Sequence, residues 1–193
     1  MKIYIFTIFF IGLFHIASYS QVGIVKSKTG NTIYCNADGL YFTLNTDKSA
    51  ISNSKWENSN RLTLLENHIT LEYFEASVIQ EDINSSNNPL LLYQKWETDY
   101  IKSNVPNSVK MSEFKTDNID IVSKDFRINA WYYSTQISKT LKTYSYFIDL
   151  YKNGYFIRID YKMCNDLEVV RSRMKKIVSQ LKFYSKPIEI DKL

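Results

Sequence analysis

Asp149 and Asp160 sit eleven residues apart in a stretch of alternating apolar and polar residues, with Arg158 between them. Two carboxylates on one sheet face are what general acid/base chemistry needs, as in glycoside hydrolysis. A neighbouring arginine works against that use. It holds both acids ionised, whereas a general acid needs a raised pKa. Trp131, Tyr133, Phe147, Tyr151 and Phe156 have the same parity as these charges once the strands are registered. Flat apolar area beside directional polar groups suits a sugar-, peptide- or protein-binding surface. It suits still better a half-core covered by a helix. The sequence therefore offers three uses for one face: a binding surface, a carboxylate-pair hydrolase, or a covered ion-pair network.

Other chemistry lacks its residues. Beyond residue 20 the glycines are Gly23, Gly30, Gly39 and Gly154, never clustered as a phosphate-cradling loop requires. His68 is the one histidine in that span, which leaves Ser-His and Cys-His catalysis and the usual zinc sites without a partner. No Gly-x-Ser-x-Gly elbow occurs. The expectation is a chain with no catalytic residues, no metal and no cofactor. Cys35 and Cys164 are the two cysteines, and in an oxidising compartment they would close a long disulfide loop; the alternative is two free thiols. The last helix predicted below carries Arg171, Arg173, Lys175, Lys176 and Lys182, a wet face or a site for an anionic lipid or polysaccharide.

The elements that position these residues can be read from period and turn chemistry. Asn153-Gly154 is a type I′ turn dipeptide, because both turn positions need positive φ. Turning there pairs Leu150 with Ile157 and Ile148 with Ile159 on one face. The other face then pairs Tyr151 with Phe156, Asp149 with Arg158 and Phe147 with Asp160. Asp38-Gly39 turns a second hairpin that sets Cys35 opposite Phe42 and Ile33 opposite Leu44. Asn67-His68 turns a third, with Leu64 opposite Leu71 and Leu62 opposite Tyr73. Further strands are expected over Phe126–Ser134 and Val109–Lys115. A helix is predicted over Pro89–Ser103, capped by Asn88 and striped by Leu92, Tyr93, Trp96 and Tyr100, after an exposed loop from Glu81 to Asn88. A second helix is predicted over Asp166–Phe183, with Asn165 and Glu168 at capping-box spacing and Val170, Met174, Ile177, Val178 and Leu181 on its apolar face. The order of strands, helix, strands, helix predicts an α+β fold: a largely antiparallel sheet with two amphipathic helices packed on it.

Residues 1–20 read as a signal peptide. Lys2 supplies the positive start, Ile3–Ile16 an apolar run and Ser18 and Ser20 the small residues before Gln21. The run is too short to span a bilayer, so cleavage after Ser20 and a periplasmic or extracellular location are expected, without stable membrane insertion. Loss of Lys2 lowers the net charge of +4 by one, and the remaining positive charge is too diffuse to suggest nucleic acid. The expected organisation is leader 1–20, one domain over 21–185 and a short tail over 186–193.

The hairpin closing on Asn153-Gly154, the strand Tyr-Phe-Ile-Arg-Ile-Asp-Tyr at 155–161 and the terminal helix ending Leu181-Lys182-Phe183 resemble the PsbP/Mog1-like α/β/α sandwich. The resemblance covers roughly the last 70 residues. It implies an accessory or binding role and transfers no functional residue. The function expected is an exported, non-catalytic binding or accessory protein of unknown ligand or macromolecular partner. A secreted hydrolase and an exported immunity or inhibitor protein are the alternatives.

Overall fold

A computed structural model describes residues 21–28, 30–37, 39–46, 55–58, 60–64, 69–79, 83–106, 109–119 and 124–193. The leader and His68 lie outside the described residues. Among the described residues the main elements are two antiparallel sheets and two α-helices. The smaller sheet holds β1 (Gln21–Lys26), β2 (Asn31–Ala37), β3 (Leu40–Thr46) and β12 (Leu181–Tyr184), in that spatial order. The larger runs in the order β4 (Lys55–Asn58), β5 (Arg61–Leu64), β6 (Ile69–Glu75), β11 (Tyr155–Cys164), β10 (Lys142–Lys152), β9 (Arg127–Gln136) and β7 (Lys110–Met111). β8 (Lys115–Asp117) also pairs with β9.

Helix α1 (Pro89–Asn104) lies on one face of the larger sheet, while α2 (Leu167–Ser179) and the smaller sheet cover the other. The α+β class and the packing of both helices on antiparallel sheet agree with the sequence. The main core joins Ile33, Phe42 and Leu44 of the small sheet to Ile148, Leu150, Ile157 and Ile159 of the large one, with Val170, Met174 and Val178 of α2 closing it. A smaller cluster under α1 holds Ala76, Ile83, Leu90, Tyr93 and Phe156.

The central hairpin has the predicted register from Tyr146–Tyr161 to the turn, with Asp149 opposite Arg158 and Phe147 opposite Asp160; beyond it a bulge at Met163, φ 63°, sets Tyr144 opposite Cys164 instead of Met163. Its turn has φ of 51° at Asn153 and 81° at Gly154, the left-handed pair that the Asn-Gly sequence favours. The second hairpin also agrees: Cys35 lies opposite Phe42 and Ile33 opposite Leu44.

Four expectations change. Leu62 pairs with Leu71 and Leu64 with Ile69, so the third connection spans residues 65–68 instead of turning tightly on Asn67-His68. The two-residue slip preserves parity, so Leu62 keeps the core face. The second helix begins at Leu167, where the Asp166 side chain accepts from the backbone N–H groups of Glu168 and Val169; Asn165 is not the cap. That helix ends at Ser179, because Leu181 and Phe183 have edge positions available opposite Leu44 and Phe42 of β3. The expected strand over Val109–Lys115 is split into β7 and part of β8, since Ser112 breaks the ladder by bonding Ser134 through both its backbone N–H and its hydroxyl. Within the expected loop before α1, Ile83 is fully buried and pins a one-turn helix over Ile83–Ser85.

Candidate functional site

Strand alternation sends the odd residues of β9 and β10 and the even residues of β11 and β6 toward α1. The register then builds one row across five strands: Arg61 of β5, Glu72 of β6, Arg158 of β11, Asp149 of β10 and Asn129 of β9 are successive cross-strand partners. Charges alternate along the row, the favourable order for directly opposed side chains. Helix α1 closes it from above. Glu97 pairs with Arg158 Nη1 at 2.7 Å, and Asn129 Nδ2 donates to Gln94 Oε1 at 2.9 Å.

Arg158 is the hub. Its Nε donates to Asp149 Oδ1 at 2.8 Å and its Nη2 to Asp149 Oδ2 at 3.3 Å, while Trp131 Nε1 donates to Asp149 Oδ2 at 2.7 Å. The guanidinium carbon lies 4.4 Å from the centre of the Tyr93 ring, 5.1 Å from Phe147 and 5.6 Å from Trp131. Burial alone would lower the arginine pKa; the charge of Asp149 and its hydrogen bonds outweigh that, and the cation is held more firmly than in water. Tyr93 also stacks on Phe156, with ring centres 4.5 Å apart. Trp131 stacks on Phe147 at 4.1 Å and Phe147 on Tyr133 at 6.0 Å.

Every residue singled out from the sequence is thus on the expected face, and that face is roofed. Trp131, Phe147, Phe156, Asp149, Arg158 and Asp160 are buried; Tyr133 and Tyr151 are partly exposed. Asp149 has both oxygens committed and no exposed surface, so it has no open position from which to exchange a proton with a substrate. Asp160 differs. Its Oδ1 has no hydrogen-bond partner, and Lys162 is 3.7 Å from Oδ2. Burial raises its pKa, only partly opposed by Lys162 and Arg158; burial likewise raises that of Glu72.

Cys35 and Cys164 are not bonded to each other. Cys35 is buried in the small sheet, its Sγ 3.9 Å from the Leu40 carbonyl oxygen, and burial pushes its pKa up to about 12. Cys164 lies at the end of β11, its Sγ within hydrogen-bond distance of Asp166 N and O. Among the described residues no three His, Cys, Asp or Glu side chains converge to hold a metal.

Sequence reasoning missed Glu97, Glu72 and Arg61. The signal for Glu97 was its position on α1 one residue beyond Trp96. Glu72 and Arg61 required the true register of β5 on β6, and pairing Leu62 with Tyr73 had hidden it. The predicted α1 stripe also divides. Tyr93 is buried, but Leu92, Trp96 and Tyr100 are 38%, 46% and 56% exposed. The helix turns Tyr93, Gln94 and Glu97 to the sheet and Leu92, Trp96 and Tyr100 to solvent. Beside it, a groove of about 720 Å³ runs between α1 and residues 111–114, with Leu91, Met111 and Phe114 as apolar walls and Lys95 and Lys102 on its sides.

No family model matches this sequence, and no curated protein matches it. Among solved structures the chain is similar to the cyanobacterial PsbP (CyanoP) of Synechocystis sp. PCC 6803, a solution structure. The two share 10% sequence identity with a TM-score of 0.39, over 87% of this chain and 95% of that one. No helix among the described residues is long and apolar enough to cross a membrane.

Proposed function

We propose that the protein is an exported, non-catalytic binding or accessory domain, and that its partner meets the open flank of α1 instead of the sheet face beneath it. One observation carries the reading: the residues that could have formed a binding or acid/base centre are spent on holding α1 down, through Arg158–Glu97, Asn129–Gln94 and the Tyr93–Phe156 stack. The surface left to a partner is the groove beside α1. Its walls accept apolar side chains, and Lys95 and Lys102 against the single acid Glu113 favour carboxylates on balance; Lys95 is shared with Asp99 at 3.6 Å, and Lys102 lies 5.4 Å from the Phe114 ring centre. The partner chemistry that fits is an acidic protein segment carrying apolar residues. Export rests on the leader read from residues 1–20.

The test is a photo-crosslinker placed at Leu91 in the intact cell. One dominant protein adduct is expected, lost in Lys102→Glu while the melting temperature is unchanged. Equal adduct yield from the charge-reversed chain would remove the groove as the site. Recovery of the chain from the envelope fraction with Gln21 as its first residue tests the export half separately.

A further inference from the structure

The end of the larger sheet farthest from the Asn153-Gly154 turn carries a second surface. Residues 134–145 and 105–112 contain Lys110, Lys139 and Lys142 and no acid. All three lysines are exposed. Lys110 and Lys142 flank Gln136 from opposite sides, since both are its cross-strand partners, which sets their Cα atoms about 10 Å apart on one face. Between them projects the loop joining β9 to β10, residues 137–141, with Ile137 50% and Leu141 39% exposed.

This loop is closed by its own hydrogen bonds. The Leu141 carbonyl accepts from Ile137 N at 2.9 Å and Ser138 N at 3.2 Å, and Ser138 Oγ accepts from Leu141 N at 3.1 Å. Gln136 Nε2 adds donation to the carbonyls of Ser138 and Leu141. Two aliphatic side chains are therefore held outward on a preorganised tip, inside a ring of cations. In water that arrangement gains nothing. At a lipid headgroup boundary the aliphatic groups enter the acyl edge while the lysines meet anionic headgroups.

We propose that this tip is a docking site for an anionic phospholipid bilayer, which the domain touches without spanning. Charge complementarity selects the anionic surface, and Ile137 with Leu141 selects a bilayer over a soluble polyanion, which has no apolar phase to receive them. The surface is distinct from the α1 groove. It shares with the proposed function only the export that would bring the domain to an outer leaflet, and a vesicle assay does not depend on export.

The experiment is co-sedimentation of the processed protein with vesicles of phosphatidylglycerol mixed with phosphatidylcholine, and with vesicles of phosphatidylcholine alone. Binding is expected to the mixed vesicles, falling as salt rises. Lys110→Gln, Lys139→Gln and Lys142→Gln together should weaken it about a hundredfold, at roughly 1 kcal/mol per lysine. Ile137→Ser with Leu141→Ser should weaken it about tenfold or more with the charge intact. Unchanged melting temperatures keep both variants interpretable, because every altered residue is exposed. The proposal is overturned by equal binding to both vesicle types or by no binding to either. It is also overturned if dextran sulfate binds as tightly and the serine variant loses neither interaction, or if that variant loses only a dimer seen by sedimentation.

Discussion

Trp131 donates its indole N–H to Asp149 Oδ2 at 2.7 Å across adjacent strands, and neither side chain has any exposed surface. The bond makes the tryptophan a structural partner of the Asp149–Arg158 pair, and it separates a covered core from an open recognition face. Trp131→Ala is expected to cost about 3–5 kcal/mol through the lost Phe147 stack, the cavity and the orphaned carboxylate oxygen. Trp131→Phe, which keeps one stacked ring and loses the donor with part of the indole volume, should cost about 1–3 kcal/mol. Equilibrium denaturation of the two variants checks the ranking; equal costs would mean that the stack and the cavity add nothing beyond the lost hydrogen bond.

Asp149→Asn leaves the shape intact and removes the charge that faces Arg158. The expected loss is about 3 kcal/mol, because truncating one member of a buried pair strands the other. Glu97 still reaches Arg158 at 2.7 Å, which keeps the loss at the lower end of the range for such pairs. Chemical denaturation gives the number.

Asp160 predicts a pH dependence. Its folded pKa is raised above the ordinary 3.8, and that of Glu72 above 4.5, in both cases chiefly by burial. The folded protein therefore holds these protons more tightly than the unfolded chain, so their contribution to stability falls as pH rises through the interval above about 4. Asp160→Asn removes one such penalty and leaves an exposed lysine unpaired. The variant should match the parent near pH 3, within roughly 0.5 kcal/mol, and exceed it by about 1 kcal/mol at neutral pH. A variant less stable than the parent at neutral pH would mean that the Lys162 pair outweighs the bare Oδ1.

The thiols give a chemical check. With its pKa pushed up to about 12 by burial, Cys35 should resist alkylation in the native state, while the partly exposed Cys164 reacts. Mass spectrometry after brief iodoacetamide treatment should find one adduct, at Cys164, with the second appearing only in denaturant. Because the two thiols are not bonded, a reductant should leave the melting temperature unchanged.

Helix α1 is anchored to the charged row by Glu97 and Gln94, and Glu97→Ala should loosen it selectively. Amide exchange within Pro89–Asn104 is expected to accelerate about tenfold or more, from the loss of a charge-assisted bond, with α2 unaffected. Equal acceleration in both helices would instead report global destabilisation.

Legibility in the sequence followed locality. Asn153-Gly154 set the central register, and with it the shared face of Trp131, Phe147, Asp149, Phe156 and Arg158, because a two-residue type I′ turn permits one pairing. Asn67-His68 carries no such constraint, so the sequence could not separate a tight turn from a four-residue connection, and Arg61–Glu72 stayed hidden. Cover by a helix was legible from the mixed face, but the side of α1 that provides it was not. Leu92, Trp96 and Tyr100 form the better apolar stripe of α1, yet the helix turns Gln94 and Glu97 inward. Asn129 and Arg158, buried on the sheet, need partners more than an aromatic stripe needs cover. Neither was β12, since Leu181-Lys182-Phe183 continues the helical period and only the free edge of β3, far away in sequence, draws it into a strand.

That last pairing bears on when the molecule can close. Leu181–Tyr184 binds Tyr41–Leu44, so the small sheet gains its fourth strand from residues made after both helices. The Asn36 side chain likewise waits for Ile188, whose backbone it bonds through both its carbonyl and its amide. Contacts this far apart in sequence form late and slowly. A nascent chain would therefore keep its small sheet unfinished until Leu181–Tyr184 has been made.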